Sequence, residues 1–249
     1  MSTSANKTGG EAFAAARGEI AMVAAILVFA AGLLAFLGVA DSVTDGHTVR
    51  FDVGLMMMLR HTGDLGRPIG PDWLKLGAID VTALGSVTDL AIIVLFVTGF
   101  FAALRRWREA GLLLAAALSG LLLVDIFKVV FGRERPPLAM HAVEVGNASF
   151  PSGHATLSAV VYLSLATLLA HFAGRRRVRI YALGAGLALT LVVGLSRVYL
   201  GVHWPTDVIA GWALGSAWAM VWWLIAWLIE HRCGARPREP EPAILEPPA

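Results

Sequence analysis

The chain has 249 residues, of which 57% are hydrophobic and 15% charged, with a mean hydropathy of +0.70. A soluble sphere of this size cannot hide so much apolar surface, so a bilayer is the expected solvent and disorder is excluded for all but the ends. The single cysteine, Cys233, excludes a disulfide scaffold. A net charge of +2, with no basic patch interleaved with aromatics, gives no footing for nucleic-acid binding.

The first apolar run is Ile20 to Ala40, uncharged between Glu19 and Asp41. It is long enough to cross a hydrocarbon core of about 30 Å. Gly38-Val39-Ala40 could be read as a signal-peptide cleavage site, but a signal h-region is usually about 7–15 residues, so a retained anchor is expected. Residues 1–19 before it read as a cytoplasmic tail. Five more spans follow: about Leu84 to Leu104, Ala110 to Phe131 with Asp125 and Lys128 near its end, Gly153 to Ala173, Ile180 to Tyr199, and Val208 to Ile229. The expectation is an all-α, polytopic membrane bundle of about six helices over residues 20–232, with ends uncertain by about 2–4 residues.

Two segments lie outside this plan. Residues 41–80 form an external connection, in which Phe51, Leu55, Met58 and Leu59 share one helical face, with Asp52 and Arg60 elsewhere. That pattern predicts a helix lying on the membrane surface, either as a packing cap or as a substrate guide. Residues 233–249 form a proline-rich C-terminal stretch, with Arg236 to Ala249 carrying five of the eleven prolines, and read as a disordered tail.

Orientation follows from the short loops. Leu104 to Arg108 and Gly174 to Arg179 are dense in arginine, which places them and both termini in the cytoplasm of a cell (plasma) membrane. Eight cations fall on the opposite side: Arg50, Arg60, Arg67, Lys75, Lys128, Arg133, Arg135 and Arg197. They run against the topology count and call for another explanation.

Three of them belong to a constellation. Lys128 ends the third span and Arg135-Pro136 follows it. Pro151-Ser152-Gly153-His154 opens the fourth. Ser196-Arg197 closes the fifth, and His203 and Asp207 lead into the sixth. All of these groups fall at one side of the membrane. Ionisable residues there are functional candidates. Lys128, Arg135 and Arg197 suit a phosphate or diphosphate. Ser152 and Gly153 sit at a helix start, whose free N–H groups favour an anion. One histidine can attack phosphorus while the other protonates the leaving oxygen. Asp207, four residues after His203, can hold one tautomer of its ring. The histidines and Asp207 lack the close pairing of metal ligands, so neither a metal nor any other cofactor is expected.

Three motifs now stand together: K-x6-R-P at Lys128 to Pro136, PSGH at residues 151–154, and S-R-x5-H-x3-D from Ser196 to Asp207. In type, order and spacing they resemble the signature of the type 2 phosphatidic acid phosphatase (PAP2) superfamily, which also includes soluble vanadium haloperoxidases. Six spans argue for the membrane branch. The resemblance implies that His203 is the nucleophile, forming a phosphohistidine, that Asp207 orients it, and that His154 is the acid for the leaving group and then the base for water. Lys128, Arg135, Ser152, Gly153 and Arg197 would hold the phosphate oxygens, without a metal. The implied partners are membrane lipids and a lipid phosphate substrate, with the site at the external leaflet. Undecaprenyl diphosphate is the first expectation for that lipid, with phosphatidylglycerophosphate, phosphatidate and lipid A phosphate as rivals. A non-catalytic carrier or flippase would need the cations but not His203 with Asp207.

Three details remain. Gly186, Thr190 and Gly194 form a small-residue face on the fifth span, and Gly211 with Gly215 forms one on the sixth. If the two faces packed together they would fix Arg197 against His203. Asp125, one turn before Lys128, either pairs with it or faces water at the mouth of the bundle.

Overall fold

The structure is a computed structural model, and it describes residues 3–146 and 148–233. Of the expected tail, residues 233–249, Cys233 ends the last helix and residues 234–249 lie outside the described residues. The chain runs through α1 (Thr3–Thr44), α2 (Val49–Met58), β1 (Arg60–His61), β2 (Asp64–Pro68), α3 (Asp72–Ala83), α4 (Val87–Ala103), α5 (Trp107–Phe131), a 3-10 turn (Leu138–Met140), α6 (Gly153–Phe172), α7 (Arg176–Tyr199) and α8 (Pro205–Cys233). The membrane helix bundle expected from the sequence is thus present.

Among the described residues, five stretches are long and apolar enough to cross a membrane: Gly18–Thr44, Trp107–Phe131, Gly153–Phe172, Arg176–Tyr199 and Pro205–His231. The expected second span differs. It is a bent pair, α3 and α4, meeting at 49°. The break has a local cause. Ser86 caps α4 by accepting the Asp89 N–H at 3.0 Å, which starts a new helix after Gly85. The Tyr162 hydroxyl of α6 donates to the Leu84 carbonyl at 2.6 Å and ties the break to the bundle. The charges of Asp72, Lys75 and Asp80 had hidden α3 from a hydropathy reading. The first helix also begins at Thr3, well before Ile20.

The 41–80 segment holds α2 and a small antiparallel hairpin, β1 with β2, which the all-α reading did not include. On α2 the inward residues are Asp52 and Met56, both buried, while Phe51, Leu55 and Met58 are exposed. The apolar stripe therefore faces outward, as a membrane-surface helix would have it, and the acid faces the bundle.

At the centre stands α6, packed against α4, α5, α7 and α8. One core joins Leu90 and Val94 of α4, Leu113 and Val124 of α5, and Leu157 and Val161 of α6. A second gathers Phe36 of α1 against Phe127 and Phe150, with ring centroids 4.9 and 5.9 Å away. Small residues let backbones close up, though not between the faces expected to meet. Gly211 and Gly215 of α8 lie on α6, where a Cβ on Gly211 would stand 2.9 Å from the Ser152 carbonyl. Gly186 of α7 also lies on α6, against the Tyr162 carbonyl, and Gly194 accommodates the Trp212 indole of α8. Both α7 and α8 are thus fixed to α6. Gly132 ends α5 in the left-handed conformation, φ +53°, turning the chain back over the bundle.

Candidate active site

The C-terminal ends of α5 and α7 and the N-terminal ends of α6 and α8 converge on a cavity of about 300 Å³. Lys128, Arg135, Gly153, His154, Arg197 and His203 all line it, so six of the eight residues singled out from sequence share one space. Of the other two, Asp207 lies behind His203 and Ser152 is fully buried at the start of α6.

Two interactions decide the state of His203. Its Nε2 lies 3.1 Å from an Arg135 guanidinium nitrogen. A guanidinium only donates, so Nε2 carries the lone pair and the ring proton sits on Nδ1. Nδ1 in turn faces Asp207 Oδ2 at 3.4 Å. Burial pushes the His203 imidazolium down to about 4, although the hydrogen bond and charge of Asp207 pull the other way. The ring is therefore neutral at pH 7, with its Nε2 lone pair toward Arg135 at the cavity. Arg135 is lowered from its usual range, first by burial, with the Asp207 charge opposing. It also donates to the Val202 carbonyl at 2.6 Å.

Asp207 is held by more than His203. Oδ2 accepts from the Ser149 hydroxyl at 2.5 Å and from the Trp204 N–H at 2.9 Å. Oδ1 accepts from Arg133 at 2.5 Å. The i, i+4 spacing brings the carboxylate to the imidazole, while the tighter contacts come from Ser149, Arg133 and the backbone. None of these partners was picked out as a site residue from sequence. Arg133 was one of the cations that ran against the topology count, and Asp52, its second partner at 2.7 Å, had stood out only as an acid off the apolar face of α2. Ser149 carried no signal, being one polar residue in a connecting segment.

Arg60, another of those cations, has a structural role. It is buried and donates to the carbonyls of Leu59 and Tyr199 at 3.0 and 2.9 Å. Gly201 makes room for it, adopting φ +79° where a Cβ would strike the Met140 carbonyl and the Arg60 guanidinium.

Two of the remaining groups, Arg197 at the cavity and Ser152 beside it at the start of α6, have hydrogen-bonding capacity to spare among the described residues. Arg197 is 3% exposed and donates one bond, to Thr82 Oγ1 at 2.9 Å, while its Nε has no partner. Ser152 Oγ is also buried without a partner. A buried donor left unpaired is costly, so both suit a site built for an anion. Gly153 opens α6, and a Cβ there would stand 3.9 Å from Lys128 Nζ, so backbone N–H groups and the ammonium share one side of the cavity. Asp125 lines the same cavity, and no salt bridge joins it to Lys128 among the described residues. His154 lies beside Gly85, whose missing side chain leaves it room: a Cβ there would meet the imidazole at 3.3 Å. Among the described residues no three His, Cys, Asp or Glu side chains gather as a ligand set.

The family model of the PAP2 superfamily matches residues 108–230. Phosphatidylglycerophosphatase B of Bacillus subtilis is 35% identical over 147 residues, covering 57% of this chain and 70% of that protein. An undecaprenyl-diphosphatase of Sulfolobus acidocaldarius is 34% identical over 126 residues, covering 48% of this chain and 57% of that protein. The crystal structure of a transmembrane PAP2-type phosphatidylglycerolphosphate phosphatase from Bacillus subtilis superposes with a TM-score of 0.73 at 27% identity, over 81% of this chain and 96% of that one. A shared fold, a shared stretch of sequence and convergent motifs lead to one assignment: the chain belongs to the PAP2 superfamily, as a multi-pass membrane hydrolase of lipid phosphate esters.

Proposed function

We propose that the chain removes a phosphate from a lipid head group through a phosphohistidine on His203. The observation that carries this reading is the polarised His203 ring, with Nδ1–H toward Asp207 and the Nε2 lone pair toward a cavity lined by Lys128, Arg135 and Arg197. The phosphate oxygens would take the donors of these cations, of Ser152 Oγ and of the N–H groups at the start of α6. Nε2 attacks phosphorus, the P–N bond forms, and the bond from phosphorus to the lipid oxygen breaks. Protonated His154, which lines the same cavity, gives its proton to that oxygen. It then takes a proton from water, whose oxygen attacks phosphorus as the P–N bond breaks, which returns the lone pair to His203 Nε2 and releases inorganic phosphate. The cations and N–H groups supply the charge stabilisation, so no metal is required.

The apolar walls of the cavity, Val87, Leu121, Val124 and Leu157, come from α4, α5 and α6. Val87 is also exposed on the outer surface. These features support a lipid chain leaving sideways into the bilayer near α4 and α5. The arginine-dense loops at residues 104–108 and 174–179 support a site on the external side with both termini cytoplasmic. For the lipid itself, similarity in sequence and structure to the Bacillus subtilis enzymes favours phosphatidylglycerophosphate, ahead of the undecaprenyl diphosphate expected from sequence. The test is phosphate release by purified protein from a panel of both, with phosphatidate and lipid A phosphate, with and without EDTA. Release from none of them would leave a binding protein as the better account.

A further inference from the structure

Behind His203 lies a buried chain of charges that the reaction above does not use. Arg133 donates through Nη1 to Asp207 Oδ1 at 2.5 Å and through Nη2 to Asp52 Oδ2 at 2.7 Å. Both carboxylates are buried, 0% and 1% exposed, so the pairings are shielded from water. Asp52 is fixed in turn by Thr206, whose N–H and hydroxyl donate to it at 3.0 and 2.7 Å. Asp52 thus joins the first turn of α8, which carries Asp207, to the membrane-surface helix α2.

We propose that Asp52 is a positioning residue for His203, acting through Arg133 and Asp207. The inference rests on His203 being the nucleophile. Its physical basis is charge balance. Asp207 with Arg133 alone would be a neutral pair, and little negative charge would face the imidazole. With Asp52 on the far side, Arg133 is shared between two carboxylates and one net negative charge remains beside His203. That charge favours the cationic ring that forms as Nε2 bonds to phosphorus. Of the charged groups that act on the ring, Arg135 and Arg197 are cationic and Asp207 is the anion, while Asp125 lines the same cavity and acts on Lys128. Asp52 touches none of the cavity-lining groups, so its effect belongs in kcat and not in KM.

The test measures kcat and KM for phosphate release in wild type, His203→Ala, Asp52→Asn, Asp52→Glu and the double variant Asp52→Asn with Arg133→Gln. Asparagine keeps the oxygen that accepts the Thr206 N–H while removing the charge. Asp52→Asn should lower kcat about 10- to 100-fold with KM within about twofold, and Asp52→Glu should retain most of the rate. Removing the Arg133 cation as well returns one net negative charge to His203, so the double variant should be faster than Asp52→Asn. A merely structural Asp52 predicts the reverse, since the double variant loses more bonds. If Asp52→Asn does not purify folded, Asp52→Ser and its double variant with Arg133→Gln make the same comparison, and a double variant slower than Asp52→Ser overturns the proposal. Wild-type kcat in Asp52→Asn, or a double variant slower than it, overturns the proposal while an inactive His203→Ala leaves the phosphohistidine intact. Turnover by His203→Ala overturns both.

Discussion

Gly85 offers a sharp test of how tightly the cavity is built. It lies at the α3–α4 break, and a Cβ there would overlap Val193 Cγ1 of α7 and stand 3.3 and 3.4 Å from Cδ2 and Cβ of His154. The contact with Val193 is well inside van der Waals range, so Gly85→Ala must move α3, α7 or the His154 ring. Overpacking of this kind costs about 1–3 kcal/mol. A displacement of about 1 Å at a group that must reach the leaving oxygen can cost on the order of 10²-fold in rate. The variant should therefore unfold at lower temperature in detergent and lose kcat by about 10- to 100-fold. Val193→Ala removes the clashing Cγ1, so Gly85→Ala with Val193→Ala should recover both quantities relative to Gly85→Ala. The assay is thermal unfolding by intrinsic fluorescence alongside steady-state phosphate release. Wild-type stability and kcat in Gly85→Ala would refute the packing argument. A double variant no better than the single one would show that Val193 is not what the new methyl meets.

Other expectations follow from the site. Ser149→Ala removes a hydroxyl that donates to Asp207 Oδ2 and should lower kcat about tenfold; an unchanged kcat would mean that Arg133 and the Trp204 N–H suffice. Because folding lowers His203 from about 6.5 to about 4, the unfolded chain binds the extra proton between these values, so stability should fall as pH drops through that window. His203→Gln should flatten that part of the pH–stability curve, and an equal slope in both proteins would contradict the neutral buried ring. For topology, a periplasm-active reporter fused after Gly146 should be active and one fused after Arg176 inactive; the opposite pattern would put the site on the cytoplasmic side. Excess EDTA should leave the rate unchanged, and loss with recovery on adding a divalent ion would contradict the metal-free mechanism.

Much of this architecture was legible because it depends on local pattern. Spans α5 to α8 are apolar runs whose charges gather near their ends, and those ends fall within a few residues of expectation. The motif residues could be placed at one side of the membrane from helix ends alone. What escaped depends on partners distant in sequence. Asp52 and Arg133 are 81 residues apart and meet only because α2 lies across the start of α8. The small faces of α7 and α8 were visible, but which helix covers them depends on α6, whose position no local pattern encodes. The hairpin from Arg60 to Pro68 is too short for a periodicity reading, and its Arg60 is explained only by carbonyls at the end of α7. The bent α3–α4 pair escaped because hydropathy sees charge before it sees a serine cap.

The central claim is that His203 carries the phosphoryl group while His154 handles the protons. It is tested most directly by trapping the intermediate. With p-nitrophenyl phosphate the leaving group needs little acid help, so His154→Ala should still form the P–N bond but lose the base that activates water. Denaturing, alkaline quench and peptide mapping of that variant should find acid-labile, base-stable phosphate on the peptide containing His203, and none in the additional absence of His203. Phosphate on any other residue, or trapped phosphate that persists in His203→Ala, would contradict the account.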